Sequence, residues 1–335
     1  MSEVLLEIKN LNVRYVVGKE VSEAVNGISF SLNKGETLGL VGETGAGKTT
    51  TALSIMNMLP QYISRVEGEI FIDGKNVFQM KKHELREMRG KKVSMVFQDP
   101  MTSLNPVYRV GEQIGEVLKL HEGKMSRKEL RKRVGEILEM VGIPASRQDE
   151  YPHQFSGGMK QRVIIAIAIA CRPELLIADE PTTALDVTIQ AQVLDMMQGL
   201  RTQLNSSILM ITHDLGIVAS FCDKVAIMYA GEIVEYGSLE EIFDRDRQHH
   251  PYTVGLFGAI PNLNVKTSRL NPIHGLTPDP TALPEGCKFH PRCPNCSEQC
   301  KSGIVPVYVK GEHQIKCHLA ESWGEGMIPG KEQDA

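Results

Sequence analysis

Thr37-Leu-Gly-Leu-Val41 leads straight into Gly42-Glu43-Thr44-Gly45-Ala46-Gly47-Lys48-Thr49-Thr50, and a helix-compatible segment continues to Met58. Strand, glycine loop and helix in that order make a phosphate-binding loop. The glycines let backbone N–H groups converge on phosphate oxygens, and the helix that starts there adds its dipole. Lys48 adds a point charge, and the Thr49 hydroxyl can sit on Mg²⁺. Glycines that served only a turn would need neither the apolar strand in front nor the Lys-Thr pair behind.

Further along, Leu175-Leu-Ile-Ala178 is a second apolar run, closed by Asp179, Glu180 and Pro181, and Leu209-Met-Ile-Thr212 is a third, closed by His213 and Asp214. Continuous apolar runs of this length are strands of a parallel sheet covered on both faces. A carboxylate beside a metal and a phosphate can take a proton from water, which suits Glu180; the plainer alternative is an acidic cap before Pro181. A lone His at a strand end is more often structural than catalytic. Leu5 to Leu32 reads as antiparallel strands, and Gly68 to Lys75 as a hairpin around Asp73-Gly74. Between Met101 and Gln154 the pattern turns to charged helix: Leu130, Val134, Ile137, Leu138 and Val141 share one face of a helix spanning Ser126 to Val141.

The chain has 335 residues, enough for one large domain and an appendage. A net charge of -4 provides no broad basic field, so nucleic acid is not an expected partner. No apolar run approaches membrane-spanning length. The longest, Val163 to Ala170, is cut off by Arg172 and Pro173 and reads as a buried helix. The N-terminus does not resemble a secretion signal. A cytoplasmic protein is expected.

After Gly237 the character changes. A Pro- and Thr-rich stretch from Asn271 to Gly286 precedes five of the seven cysteines: Cys287, Cys293, Cys296, Cys300 and Cys317. Cys171 and Cys222 stand alone and read as small apolar core residues. Clustered thiols in a cytoplasmic protein indicate metal or redox chemistry more than disulfides. Four thiolates could hold tetrahedral Zn²⁺ or a 4Fe-4S cluster, and the spacing does not separate the two.

Residues 3–240 resemble an ATP-binding-cassette ATPase, with the helical subdomain at about 101–165. The resemblance rests on the phosphate loop, on Tyr151-Pro-His-Gln-Phe-Ser-Gly-Gly-Met-Lys-Gln-Arg162, and on Asp179-Glu180 and His213 in the family's order. It implies an α/β fold: a P-loop core with an antiparallel β subdomain and a helical subdomain. It also implies ATP and Mg²⁺ as ligands and roles residue by residue. Gly42 to Thr50 cradle the phosphates, Thr49, Gln98 and Asp179 hold Mg²⁺, and Gln98 also reaches the attacking water. Glu180 is the general base, His213 contacts the γ-phosphate and Tyr15 stacks on adenine. Ser156, Gly157 and Gly158 serve the nucleotide of a second cassette, and Ala184-Leu-Asp186 crosses the dimer interface.

The remainder resembles the ATPase subunits of dipeptide/oligopeptide and nickel importers, through His250-Pro-Tyr252 and Gly286-Cys-Lys-Phe-His-Pro-Arg-Cys-Pro294. This implies a small Cys-rich C-terminal metal-cluster domain at 287–320, preceded by a Pro-rich extension at 241–286 whose composition reads as ordered loop more than flexible linker. Its 4Fe-4S ligands would be Cys287, Cys293, Cys300 and Cys317, with Cys296 spare. The implied partners are a second cassette, two transmembrane permease subunits and an extracytoplasmic peptide-binding protein, with this chain peripheral on the cytoplasmic face of the membrane. Nickel or another small solute is the alternative cargo. A nucleic-acid-handling ATPase would carry a coiled coil or a fused second cassette, and a pure ATP sensor would have lost Glu180. The cassette needs none of the tail cysteines, so replacing a cluster ligand is expected to loosen residues after about Asn271 and to leave ATP binding largely unaffected.

Overall fold

The structure, a computed structural model, describes residues 3–97, 103–183, 185–259 and 273–322, together with the backbone of 328–329. The chain forms two compact units, each assembled from separate segments. One comprises the residues up to Leu6, Leu32–Thr37 and Phe71–Ile211; the other comprises Glu7–Ser31, Leu38–Ile70 and the chain from Thr212 onward.

The N-terminal strands β1 (Val4–Val17) and β2 (Glu20–Asn33) belong mainly to the second unit, as do β3 (Thr37–Val41), α1 (Lys48–Ile55) and most of β4 (Ser64–Ile72). Leu6 and Ile8, then Leu11 and Val13, are buried. The phase slips once between them, where Asn10 is left-handed at φ 47 and donates its N–H to Ser29 Oγ at 2.8 Å. An extra residue in a strand does this. β4 turns into β5 (Lys75–Asn76) through Asp73 and Gly74, both at positive φ, so the hairpin expected there is present.

The first unit holds α2 (Lys82–Lys91), β6 (Val93–Val96), α3 (Val110–Glu122), α4 (Arg127–Met140), α5 (Gly157–Ile169), β7 (Leu175–Asp179), α6 (Val187–Leu204) and most of β8 (Ser207–Thr212). β6, β7 and β8 are parallel and buried at every position, as continuous apolar runs require. α4 is the helix expected from Ser126 onward. Ser126 caps it by accepting the Glu129 N–H at 3.2 Å, and Val134, Ile137, Leu138 and Val141 are buried. Leu130 faces Gly115 of α3, where a Cβ would lie 3.4 Å from it, an ordinary packing distance. α5 buries Val163 to Ala166, and no helix among the described residues is long and apolar enough to cross a membrane.

The second unit continues with α7 (Leu215–Phe221), β9 (Lys224–Tyr229), β10 (Glu232–Ser238), α8 (Leu239–Phe243), α9 (Pro251–Gly258), β11 (Val307–Lys310), β12 (His313–Lys316) and a short β13 (Ile328–Pro329). β3 pairs parallel with β9; β9–β10, β10–β12 and β12–β11 then pair antiparallel. The cysteine-bearing tail therefore extends the sheet that carries the phosphate loop. Its hairpin turns through Gly311-Glu312, with Gly311 at φ 67. Residues 273–286 form neither helix nor strand.

Candidate nucleotide-binding site

Every residue of β3 is buried, and the strand delivers the glycine loop at its C-terminal end. A Cβ at Gly42 would lie 2.1 Å from the Met228 carbonyl oxygen, and one at Gly47 would lie 2.3 Å from that of Ala24. The loop is thus pressed against β9 and β2, and only glycine fits at those two positions. Gly45, at φ 84, faces open space and is there for its conformation. The Ala46 carbonyl accepts the Gly231 N–H at 3.0 Å from the tight turn Ala230-Gly231, whose residues both have positive φ. Lys48 is buried, and its Nζ donates to the carbonyls of Gly42 at 2.7 Å and Glu43 at 3.0 Å. α1 begins at Gly47 with no side-chain cap, the arrangement in which first-turn amides best receive an anion.

In the same unit Tyr15 stands half-buried near the end of β1, with its hydroxyl 3.5 Å from Thr50 Oγ1. Thr49 is exposed on α1, and His213 is exposed just after β8. Asp214 beside it caps α7, accepting the Gly216 N–H at 2.7 Å.

In the first unit Asp179 ends β7 at 1% exposure. Glu180 follows in a left-handed conformation, φ 46. Its N–H donates to the Ile211 carbonyl at 2.9 Å, and its carboxylate accepts the Thr183 hydroxyl at 2.9 Å. Ser156 is exposed at the N-cap of α5, and its Oγ accepts the Met159 N–H at 3.4 Å. The two glycines after it differ in kind. A Cβ at Gly158 would meet Ile189 of α6 at 2.4 Å, whereas one at Gly157 would have only Leu185 at 3.9 Å, so packing does not demand Gly157. Asp186 is exposed and caps α6 by accepting the Ile189 N–H at 2.9 Å. Gln98 and Ala184 lie outside the described residues.

The tail residues are placed as follows. Cys287, Cys300 and Cys317 are buried, Cys293 is half-buried and Cys296 is exposed. Backbone hydrogen bonds braid the loop: Cys287 N–H to the Cys300 carbonyl at 2.9 Å, and Cys293 N–H to that of His290 at 3.3 Å. Burial pushes the Cys287 thiol up to about 12 and Cys317 up to about 11, and other tail thiols nearby add to each shift.

Two residues were quoted in the sequence only as marks of resemblance, and the structure gives them work. Tyr252, fully buried in α9, accepts the Glu43 N–H at 3.0 Å, and Arg292 forks onto the Glu43 carboxylate at 2.7 and 3.1 Å. These bonds join the tail directly to the nucleotide loop. Tyr252 packs with Tyr229 and Phe289, at ring centroid distances of 4.6 and 5.4 Å. Burial lowers His250 to about 4, which keeps it neutral, and its Nδ1 accepts the Tyr252 N–H at 3.0 Å. Sequence reasoning also passed over the buried Glu235, whose Oε1 lies 2.7 Å from both His249 Nδ1 and His313 Nε2. Only the unusual density of His in 249–250 signalled it.

Residues 25–183 match the family model described as ABC transporter, and residues 234–300 match the oligopeptide/dipeptide transporter C-terminal region. The dipeptide transport ATP-binding protein DppD of Bacillus subtilis (strain 168) is 45% identical over 97% of this chain and 98% of its own. The oligopeptide transport ATP-binding protein OppD of Haemophilus influenzae is 48% identical over 92% of this chain and 94% of its own. Among solved structures, a dimeric ATP-binding cassette in a post-hydrolysis state bound to ADP and Pi superposes with a TM-score of 0.62 and 29% identity. That match covers 70% of this chain and 98% of the cassette.

Proposed function

Since the chain belongs to the ATP-binding-cassette transporter family, in its oligopeptide/dipeptide branch, we propose a division of labour among its residues that couples ATP hydrolysis to peptide import. The chain is an ATPase subunit that powers the import of short peptides. The observation that carries this reading is a likeness to peptide-transport subunits that runs through cassette and tail alike, joined to a phosphate loop built as an anion cradle.

The triphosphate lies in the loop Gly42 to Thr50, and Lys48 leaves its own-loop carbonyls for the phosphate oxygens. Thr49, Gln98 and Asp179 hold Mg²⁺, which would neutralise charge that develops on the phosphates. Glu180 takes the proton of the attacking water. His213 contacts the γ-phosphate, and Tyr15 stacks on adenine. Ser156, Gly157, Gly158 and Asp186 serve the nucleotide of a second cassette, so ATP closes the pair and hydrolysis reopens it. That cycle drives two permease subunits, which receive peptide from an extracytoplasmic binding protein, with this chain on the cytoplasmic face of the membrane.

Cys287, Cys293, Cys300 and Cys317 fit a 4Fe-4S cluster. They are the less exposed four of the five tail thiols, and Cys296 is the exposed one. The cluster would staple the loop 287–300 to the small apolar cluster of Tyr308, Ile315, Cys317 and Ala320.

The test is the complete transporter in liposomes with its binding protein. Dipeptides or oligopeptides should stimulate ATP hydrolysis and be taken up. Stimulation by nickel but by no peptide would overturn the cargo assignment.

A further inference from the structure

We propose that Arg292 is a positioning residue of the nucleotide site: from the cysteine-bearing tail it holds Glu43, and through Glu43 the phosphate loop, in the geometry that receives ATP. The proposal rests on the reading of Gly42 to Thr50 as the triphosphate cradle. The Arg292 side chain is 6% exposed, and its donors are spent on one target and its surroundings. Nη1 and Nη2 fork onto the Glu43 carboxylate; Nε donates to the His274 carbonyl at 3.0 Å, and Nη1 also reaches Tyr229 Oη at 3.3 Å. A planar fork held this way fixes orientation as well as charge. The backbone of Glu43 is held too, because its N–H donates to Tyr252 and its carbonyl accepts Lys48 Nζ. Displacing Glu43 therefore displaces the resting partner of the lysine that must reach phosphate.

Charge makes the same point. A carboxylate on a loop that binds a polyanion repels it, and the buried Arg292 guanidinium offsets that charge at contact distance. The guanidinium belongs to a segment whose order depends on its neighbours: the Arg292 N–H donates to the Phe289 carbonyl at 2.9 Å, and the next residue is Cys293. The tail is thus a working part of the nucleotide site.

The experiment measures MgATP affinity of the full chain by titration calorimetry, and KM and kcat for ATP in the reconstituted transporter. Arg292→Ala should weaken MgATP binding and raise KM about tenfold, with kcat changed less than about twofold. Arg292→Lys, a point charge without a fork, should fall between. Glu43→Gln, which cannot receive the fork, should also weaken MgATP binding, and adding it to Arg292→Ala should cost less than about twofold more, because both changes break one contact. Wild-type affinity in a folded Arg292→Ala protein would overturn the proposal. So would fully additive losses in the double variant, which would mean that Arg292 acts on the site other than through Glu43. If the wild-type chain binds no MgATP, the reading of the cradle fails and takes the proposal with it.

Discussion

Glu180 sits at φ 46, a left-handed conformation that costs a residue with a side chain about 1 to 3 kcal/mol. The strain is held by its N–H bond to Ile211 and places the carboxylate immediately after the buried Asp179. Glu180→Gln keeps the backbone and the shape but cannot take a proton. It should retain MgATP binding while hydrolysis falls by about a hundredfold or more, measured by phosphate release; near-normal turnover would remove Glu180 from the base role. Gly157 offers a second test at this scale. Its surroundings leave room for a side chain, so Gly157→Asp should fold and bind ATP in the isolated chain yet abolish turnover, because a carboxylate there repels a phosphate presented by the partner cassette. Loss of ATP binding by the folded monomer would misplace the signature. The neighbouring Gly158→Ala should instead cost about 1 to 3 kcal/mol of stability, read by chemical denaturation, since its Cβ would run into Ile189.

Three elements of the second unit meet on one buried carboxylate. Glu235 of β10 accepts from His313 of β12 and pairs with His249 just before α9, and its Oε2 accepts the His250 N–H at 3.0 Å. Burial alone would raise the Glu235 pKa, but the hydrogen bonds from His249 and His313 outweigh it and hold the group well below its ordinary 4.5. Burial alone would lower His249, but the Glu235 bond outweighs it and holds the group above 6.5. A depressed carboxyl contributes stability that is complete above 4.5 and is lost as pH falls below it. A raised histidine contributes stability that is complete below 6.5 and is lost as pH rises through its folded value. The β11–β12 hairpin should therefore be held most firmly between those two pH values, with its amide exchange speeding up on either side. Glu235→Gln should cost about 3 to 5 kcal/mol and flatten both limbs. An unchanged pH profile in that variant would assign the dependence to other groups.

For the molecule as a whole, the tail is where the proposed cofactor and the nucleotide loop come together. Anaerobically purified protein should be brown, with about four iron and four sulfide per chain and little zinc. Serine at Cys287, Cys293, Cys300 or Cys317 should each discharge the cluster, and Cys296→Ser should keep it; stoichiometric zinc without sulfide would overturn the assignment. Because Arg292 adjoins Cys293 in sequence and binds Glu43, the four discharging variants should also weaken MgATP binding.

Much of this protein could be read from local order alone. A phosphate loop, its flanking strand, the buried parallel runs, the Asp73-Gly74 hairpin and the α4 face each depend on residues within a few positions of one another. For these, hydrophobic period and backbone sterics suffice. The β11–β12 hairpin was not read from the sequence, because four-residue strands beside dense cysteines carry little periodic signal. What Tyr252 and Arg292 do was not legible at all. Glu43 and Arg292 are 249 positions apart, and nothing local distinguishes an arginine that will fork onto a phosphate loop from one that faces water. Likewise His249, His313 and Glu235 come from three separate segments. Sequence by itself determined which groups exist and which strands and helices carry them. Only the tertiary structure decided which distant charges share a buried space, because burying a charge is tolerated only where folding brings its partner alongside.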